Sequence, residues 1–75
     1  MTSFEQLQTV MAAILQVPAD QITPELDREG LDAWDSVQHL NLMLAIEDEF
    51  GVSMDVEALQ SLTSVPKILE YLEGR

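Results

Sequence analysis

The sequence predicts an all-α fold: a small four-helix bundle with three longer helices, one short helix and a long loop between the first and second helices. Apolar residues recur at helical spacing in separate segments of the chain. Ser, Asp, Gly or Pro stands at the segment ends, where helices begin or end. No Gly-containing turn pair joins two alternating apolar runs, as it would in a β-hairpin. Residues 1–75 are expected to form a single domain, because a chain this short supplies one small core.

The first helix is predicted to begin at Ser3 and to stop near Gln16. Ser3 and Gln6 have the spacing of a capping box, and Pro18 disfavours helix in the residue before it. Residues 19–34 then form the long loop, in which charges are scattered rather than periodic. Four apolar residues are expected to pack this region onto the core: Val17, Ile22, Leu26 and Leu31.

The second helix is predicted to open at Asp35, with Gln38 three residues later, and to end at Gly51. A short helical turn over residues 56–62 follows Asp55, which is a suitable cap.

The last helix is predicted to be capped by Ser64, with Pro66 in its first turn, where a missing N–H group costs little, and to close at Gly74. Helical spacing then assigns ten residues to the core: Phe4, Leu7, Met11, Ile14, Leu42, Ile46, Phe50, Val65, Leu69 and Leu72.

The second helix has two apolar sectors on a helical wheel. One contains Leu42, Met43, Ile46 and Phe50, and the other contains Val37, Leu40 and Leu44, flanked by Glu47 and Asp48. Such a helix is either buried on both sides or buried on one side and open to a partner on the other. The periodicity leaves both arrangements open.

The charge balance is strongly acidic. Fourteen Asp and Glu residues against three Lys and Arg give a formal net charge of −11. Nucleic acid is therefore not expected as a partner, because phosphate contacts need Lys and Arg. Basic protein surfaces are the favoured partners, since opposite potentials steer encounter. The alternative is that the charge only keeps a small protein soluble.

Composition also limits the location and the kind of site. The sequence has no cysteine, hence no disulfide and no Cys-based metal site. No apolar stretch approaches the roughly 20 residues of a membrane span. The first residues show no basic or signal-like apolar run. We therefore expect the protein in the cytoplasm, and we also expect it to be a monomer.

The segment Trp34-Asp35-Ser36-Val37 stands at the predicted junction between the loop and the second helix. Ser and Asp are ordinary capping residues, and capping alone would explain them. The wider pattern, however, resembles the acyl carrier protein family, the phosphopantetheine-binding carrier proteins. That family has an Asp-Ser-Leu-like motif at the start of its second helix. Residues 41–52 look like the rest of that helix and its exit, and residues 62–72 are similar to the family's last helix.

The resemblance implies a carrier protein rather than an enzyme. It makes Ser36 the residue to which a phosphopantetheinyl transferase attaches 4′-phosphopantetheine from coenzyme A, and it makes the cargo an acyl or aminoacyl thioester. Further implied partners are a loading ligase and downstream transferases or synthases with basic docking surfaces, in lipid or secondary-metabolite biosynthesis. The Trp34-Asp35-Ser36 segment looks typical of specialised, stand-alone members. The expected partner-binding residues are Asp35, Val37, Leu40, Asn41, Leu44, Glu47 and Asp48.

Three other functions would use some of the same residues. A hydrolase would use Ser36, His39 and Asp35, but the sequence has no Gly-x-Ser-x-Gly elbow. A calcium site among the loop acids lacks the EF-hand pattern. His39 is the sole histidine and is expected on the helix surface. The remaining alternative is an unmodified acidic helical interaction module, which would share the charge and the two apolar sectors.

Overall fold

The computed structural model describes residues 3–74, and these form a small helical bundle. The described part contains no β-strand, only an isolated bridge between Asp27 and Ser64. The predicted all-α fold with three longer helices and one short helix is confirmed. The helices are α1 (Ser3–Leu15), α2 (Ser36–Phe50), α3 (Val56–Ser61) and α4 (Val65–Glu73).

Side-chain caps fix the starts of three helices where the sequence placed them. The side-chain oxygen of the capping residue accepts a hydrogen bond from the backbone N–H three residues later, at Asp35 (2.9 Å), Asp55 (2.8 Å) and Ser64 (3.2 Å). Each bond satisfies an N–H group that the helix itself leaves unpaired. Gly51 ends α2 with φ 65° and ψ 38°, a left-handed conformation that glycine adopts without strain.

Two glutamine side chains tie the long loop and α2 to α1. The Gln8 amide donates to the carbonyl oxygens of Ala19 (2.8 Å) and Ile22 (3.0 Å). The Gln38 amide donates to the Ile14 carbonyl oxygen at 3.3 Å. The side chain of Gln38 thus joins two helices, whereas the capping-box spacing suggested that it would turn back to its own helix start.

The long loop has little regular structure, but backbone hydrogen bonds hold it to the start of α4. It contains two 3₁₀ turns, Ala19–Gln21 and Arg28–Gly30. The Arg28 N–H donates to the Thr63 carbonyl at 2.8 Å, and the Val65 N–H donates to the Leu26 carbonyl at 2.7 Å. The four apolar residues predicted to pack this region inward do so: Ile22 is buried, and Val17, Leu26 and Leu31 are partly buried.

The core lies between α1, α2 and α4, and α3 and the loop close it. Of the ten predicted core residues, six are buried and four are partly buried, namely Phe4, Ile14, Phe50 and Leu69. On α4, Ile68 is fully buried alongside Val65. The predicted core omitted Ile68 because it placed the inward face one residue later, at Leu69. The largest buried side chain is Trp34, which comes from the loop and was not predicted to be in the core.

Replacing Ile46 with alanine should destabilise the bundle strongly. Ile46 is fully buried on α2. Truncating such a side chain typically costs about 2–5 kcal/mol, since it removes apolar burial and leaves a cavity. The matched control is Leu40→Ala on the same helix, whose side chain is 53% exposed and whose loss should cost about 0.5 kcal/mol or less. Urea melts that gave equal losses for the two variants would contradict the assignment of the buried face.

Added salt should raise the melting temperature at neutral pH. The acidic side chains are exposed, apart from the half-buried Glu47, and the net charge is −11. Their mutual repulsion opposes the compact state, and salt screens it. Calorimetry in increasing sodium chloride measures the effect. A melting temperature that falls with salt would mean that attractive ion pairs, rather than repulsion, dominate.

Candidate functional site

Ser36 is the first residue of α2 and its side chain is exposed. Asp35 precedes it in an extended conformation and caps the helix through the Gln38 N–H. The first N–H groups of a helix have no partner within the helix and carry a partial positive charge. The Ser36 hydroxyl therefore lies at the start of the helix, beside the first backbone N–H groups, and stays open to solvent.

An open groove of about 360 Å³ runs beside Ser36. Its walls come from α2, α3 and the second 3₁₀ turn of the loop. The groove is apolar for much of its length, with one basic side chain at the loop side. Its lining residues are Arg28, Ser36, His39, Leu40, Met43, Val56, Leu59 and Gln60.

His39 is buried, with 7% of its surface exposed, so its predicted place on the helix surface is wrong. The Trp34 indole N–H donates to His39 Nδ1 at 3.0 Å, and His39 Nε2 lies 2.7 Å from the Leu59 carbonyl oxygen. A neutral imidazole with its proton on Nε2 satisfies both contacts, because it accepts at Nδ1 and donates at Nε2. The two rings are also stacked, with centroids 6.0 Å apart. His39 thus links the loop, α2 and α3.

These contacts engage the histidine and the aspartate that a hydrolase would need with other partners. Both ring nitrogens of His39 are engaged with Trp34 and Leu59. The Asp35 carboxylate accepts the Gln38 N–H at the helix start. A Ser-His-Asp relay requires the histidine to bridge the serine hydroxyl and the carboxylate, and His39 bridges two other groups.

The second apolar sector of α2 is exposed. Val37, Leu40 and Leu44 are 71%, 53% and 55% exposed, while Leu42 and Ile46 on the other side are fully buried. The question that the helical wheel left open is therefore resolved in favour of burial on one side. Val56, at the start of α3, is 68% exposed and lines the groove together with Leu40. Sequence reasoning missed Val56, because an isolated valine in a short helix gives no periodic signal.

The polar residues expected on the partner-binding surface differ in how free they are. Asp48 and Asn41 are exposed, and the Asn41 amide donates to the Gln38 side-chain oxygen at 3.0 Å. Glu47 is half-buried, and its carboxylate accepts the Met54 N–H at 2.7 Å. Glu47 therefore holds the segment after α2 in place, and Asp48 is the less constrained of the two acids.

Neither a metal cluster nor a membrane-spanning helix is found within residues 3–74. No group of three or more His, Cys, Asp or Glu side chains is placed to hold a metal ion there. None of the helices in that range is long and apolar enough to cross a bilayer.

Comparison with known proteins identifies the family. The sequence profile of the family described as "Phosphopantetheine attachment site" matches residues 5–72. An acyl carrier protein of Helicobacter pylori (strain G27) is 34% identical over 73 residues, covering 97% of this chain and 94% of that protein. An acyl carrier protein of Saccharopolyspora erythraea is 38% identical over 68 residues, covering 89% of this chain and 70% of that protein.

These matches agree with the exposed serine at a helix start and with the groove beside it. They extend over nearly the whole chain, so they concern the complete bundle rather than one motif. The chain therefore belongs to the phosphopantetheine attachment-site family and is a carrier protein, not a catalyst, with a covalent 4′-phosphopantetheine arm for an acyl cargo.

Proposed function

We propose that Ser36 is the residue that bears the arm. The exposed hydroxyl on the first residue of α2 is the observation that carries this proposal. The other serines fit less well. Ser64 uses its hydroxyl to cap α4, and Ser3 lies outside the matched residues 5–72. Ser53 and Ser61 lie at neither a helix start nor the groove.

The chemistry of attachment needs no catalytic group from this chain. The Ser36 hydroxyl oxygen forms a bond to the phosphorus that carries the pantetheine of coenzyme A. The bond from that phosphorus to the nucleotide phosphate breaks, adenosine 3′,5′-bisphosphate leaves, and the hydroxyl proton passes to a base of the transferase. When bound, the arm supplies a terminal thiol that holds the acyl or aminoacyl cargo as a thioester. This chain supplies an accessible nucleophile and a rigid place for it.

Partner enzymes are proposed to bind the exposed side of α2. This partner surface comprises Asp35, Val37, Leu40, Asn41, Leu44, Glu47 and Asp48. Burial of its exposed apolar side chains in a complex would contribute about 25 cal/mol per Å² of apolar surface, before the costs of association. The acids around it favour enzymes with basic docking surfaces and speed encounter at low salt.

The proposed partners are the phosphopantetheinyl transferase, a ligase that loads the cargo, and downstream transferases or synthases. Each must bind and release the carrier in turn, which suits a small surface with modest affinity. We further propose that the carrier is a monomer and that it meets these partners in the cytoplasm. An unmodified interaction module would use the same surface but would never gain mass from coenzyme A.

Converting Ser36 to alanine should abolish modification. Purified protein incubated with coenzyme A and a broad-specificity transferase is expected to gain the mass of one arm, because one hydroxyl is placed for it. Ser36→Ala should gain nothing, whereas the control Ser53→Ala should be modified like the wild type. Intact-protein mass spectrometry gives the result. An arm on the Ser36→Ala protein would refute the assignment.

Leu44→Glu should fold normally but react poorly with the transferase. Leu44 is 55% exposed, so the new carboxylate stays in water and the cost in stability is small. The charge should nevertheless weaken a complex that buries this side chain. Ala13→Glu is the matched control, since Ala13 is exposed on α1 and the change in net charge is the same. Circular dichroism melts and transferase kinetics decide, and equal kinetics for the two variants would exclude Leu44 from the partner surface.

A further inference from the structure

Arg28 is the basic side chain of the groove beside Ser36. The chain has three Lys and Arg residues in total, and among the residues that line this groove Arg28 is the one with a permanent positive charge. It is half-buried and comes from the second 3₁₀ turn of the loop. Lys67 does not line this groove. It lines two other surface depressions, one of which it shares with Arg28.

The backbone of Arg28 is fixed in place. Its N–H donates to the Thr63 carbonyl at 2.8 Å, and its carbonyl accepts the Leu31 N–H at 3.4 Å. The Asp27 carboxylate closes the same turn by accepting the Gly30 N–H at 2.8 Å. The guanidinium is therefore carried on a constrained stretch of loop rather than on a free one.

Attachment of the arm changes the electrostatics at this point. A phosphodiester on Ser36 adds a negative charge next to the Asp35 carboxylate, in a chain whose net charge is already −11. At 0.1 M salt, charges more than about 10 Å apart are largely screened from each other. The charged groups close to Ser36 therefore determine the electrostatic energy of the phosphodiester. A guanidinium offers paired N–H donors that match the geometry of phosphate oxygens and add charge-assisted hydrogen bonds.

We propose that Arg28 binds the phosphate of the attached arm and thereby restricts the motion of its first bonds. The inference rests on the proposed attachment at Ser36. The guanidinium donates to the non-bridging oxygens of the phosphodiester from the loop side of the groove. Arg28 acts as a positioning residue: it sets the direction in which the arm leaves Ser36 and takes no part in the transfer of the cargo.

The experiment measures NMR signals of the phosphate and of the Arg28 side chain in the modified protein. Wild type, Arg28→Gln, Arg28→Lys and the control Lys67→Gln are converted to the holo form, and each is checked by intact mass. Arg28→Gln and Lys67→Gln each remove one positive charge, but only Arg28→Gln removes it from the groove beside Ser36. Phosphorus NMR then reports the chemical shift and line width of the phosphodiester, and nitrogen-15 NMR reports the Arg28 side-chain N–H of the wild type in the apo and holo forms.

Three results are expected. The Arg28 Nε–H signal moves on modification of the wild type, while backbone signals remote from the groove stay in place. The phosphorus signal of Arg28→Gln shifts and narrows relative to wild type, Lys67→Gln matches wild type, and Arg28→Lys lies between. Roughly 1 M salt, where screening acts within about 3 Å, reduces the difference between wild type and Arg28→Gln.

The alternatives give different results. If Arg28 only contacts partner enzymes, Arg28→Gln slows the transferase but leaves the phosphorus signal unchanged, which overturns the inference. The same holds if the Arg28 side-chain signal is identical in the apo and holo wild type, a measurement that does not depend on any variant folding. If the wild-type protein gains no arm at Ser36, the proposed function is refuted, and this inference is refuted with it.

Discussion

The arrangement of the site depends on the burial of Trp34 immediately before the start of α2. The indole is 1% exposed, and its N–H is satisfied by His39 one turn into the helix. His39 in turn reaches the Leu59 carbonyl near the end of α3. A buried tryptophan needs a partner for its N–H group, and a neutral histidine can accept on one side and donate on the other. This chain of two hydrogen bonds fixes the start of α2, the position of α3 and the groove between them.

With the helix start fixed, α2 can serve two purposes at once. Its inner side contributes Leu42, Met43 and Ile46 to the core, which holds the helix rigid. Its outer side leaves Val37, Leu40 and Leu44 in water, and these side chains form the apolar part of the proposed partner surface. A carrier must leave each enzyme after use, and the proposed surface, with a small apolar area and acids around it, would allow recognition without tight binding.

The helices and their caps could be predicted from the sequence because they depend on local chemistry. Asp35, Asp55, Ser64 and Gly51 act through neighbouring backbone groups, so their spacing alone indicates the helix ends. The exposed sector of α2 was visible on the wheel, but its exposure was not, since periodicity does not say how many neighbours a helix has.

The role of the Trp34–His39 pair could not be predicted, because it depends on tertiary contacts. A lone histidine three residues after a helix start looks like a surface residue until α3 is placed against it. The same is true of Arg28, which lines the groove from a loop whose backbone is hydrogen-bonded to Thr63. Trp34 and Arg28 both lie in the long loop, which is the least periodic part of the chain and gives the weakest sequence signal.

The most direct test of the account is to locate the modification within the holo-protein. Trypsin releases a peptide of residues 29–67, which contains four of the five serines, and electron-based fragmentation of that peptide assigns the added mass to one of them. The account predicts that the whole of the added mass is found on Ser36. An arm on Ser53, Ser61 or Ser64, or a peptide that stays unmodified under conditions that modify another carrier, would contradict it.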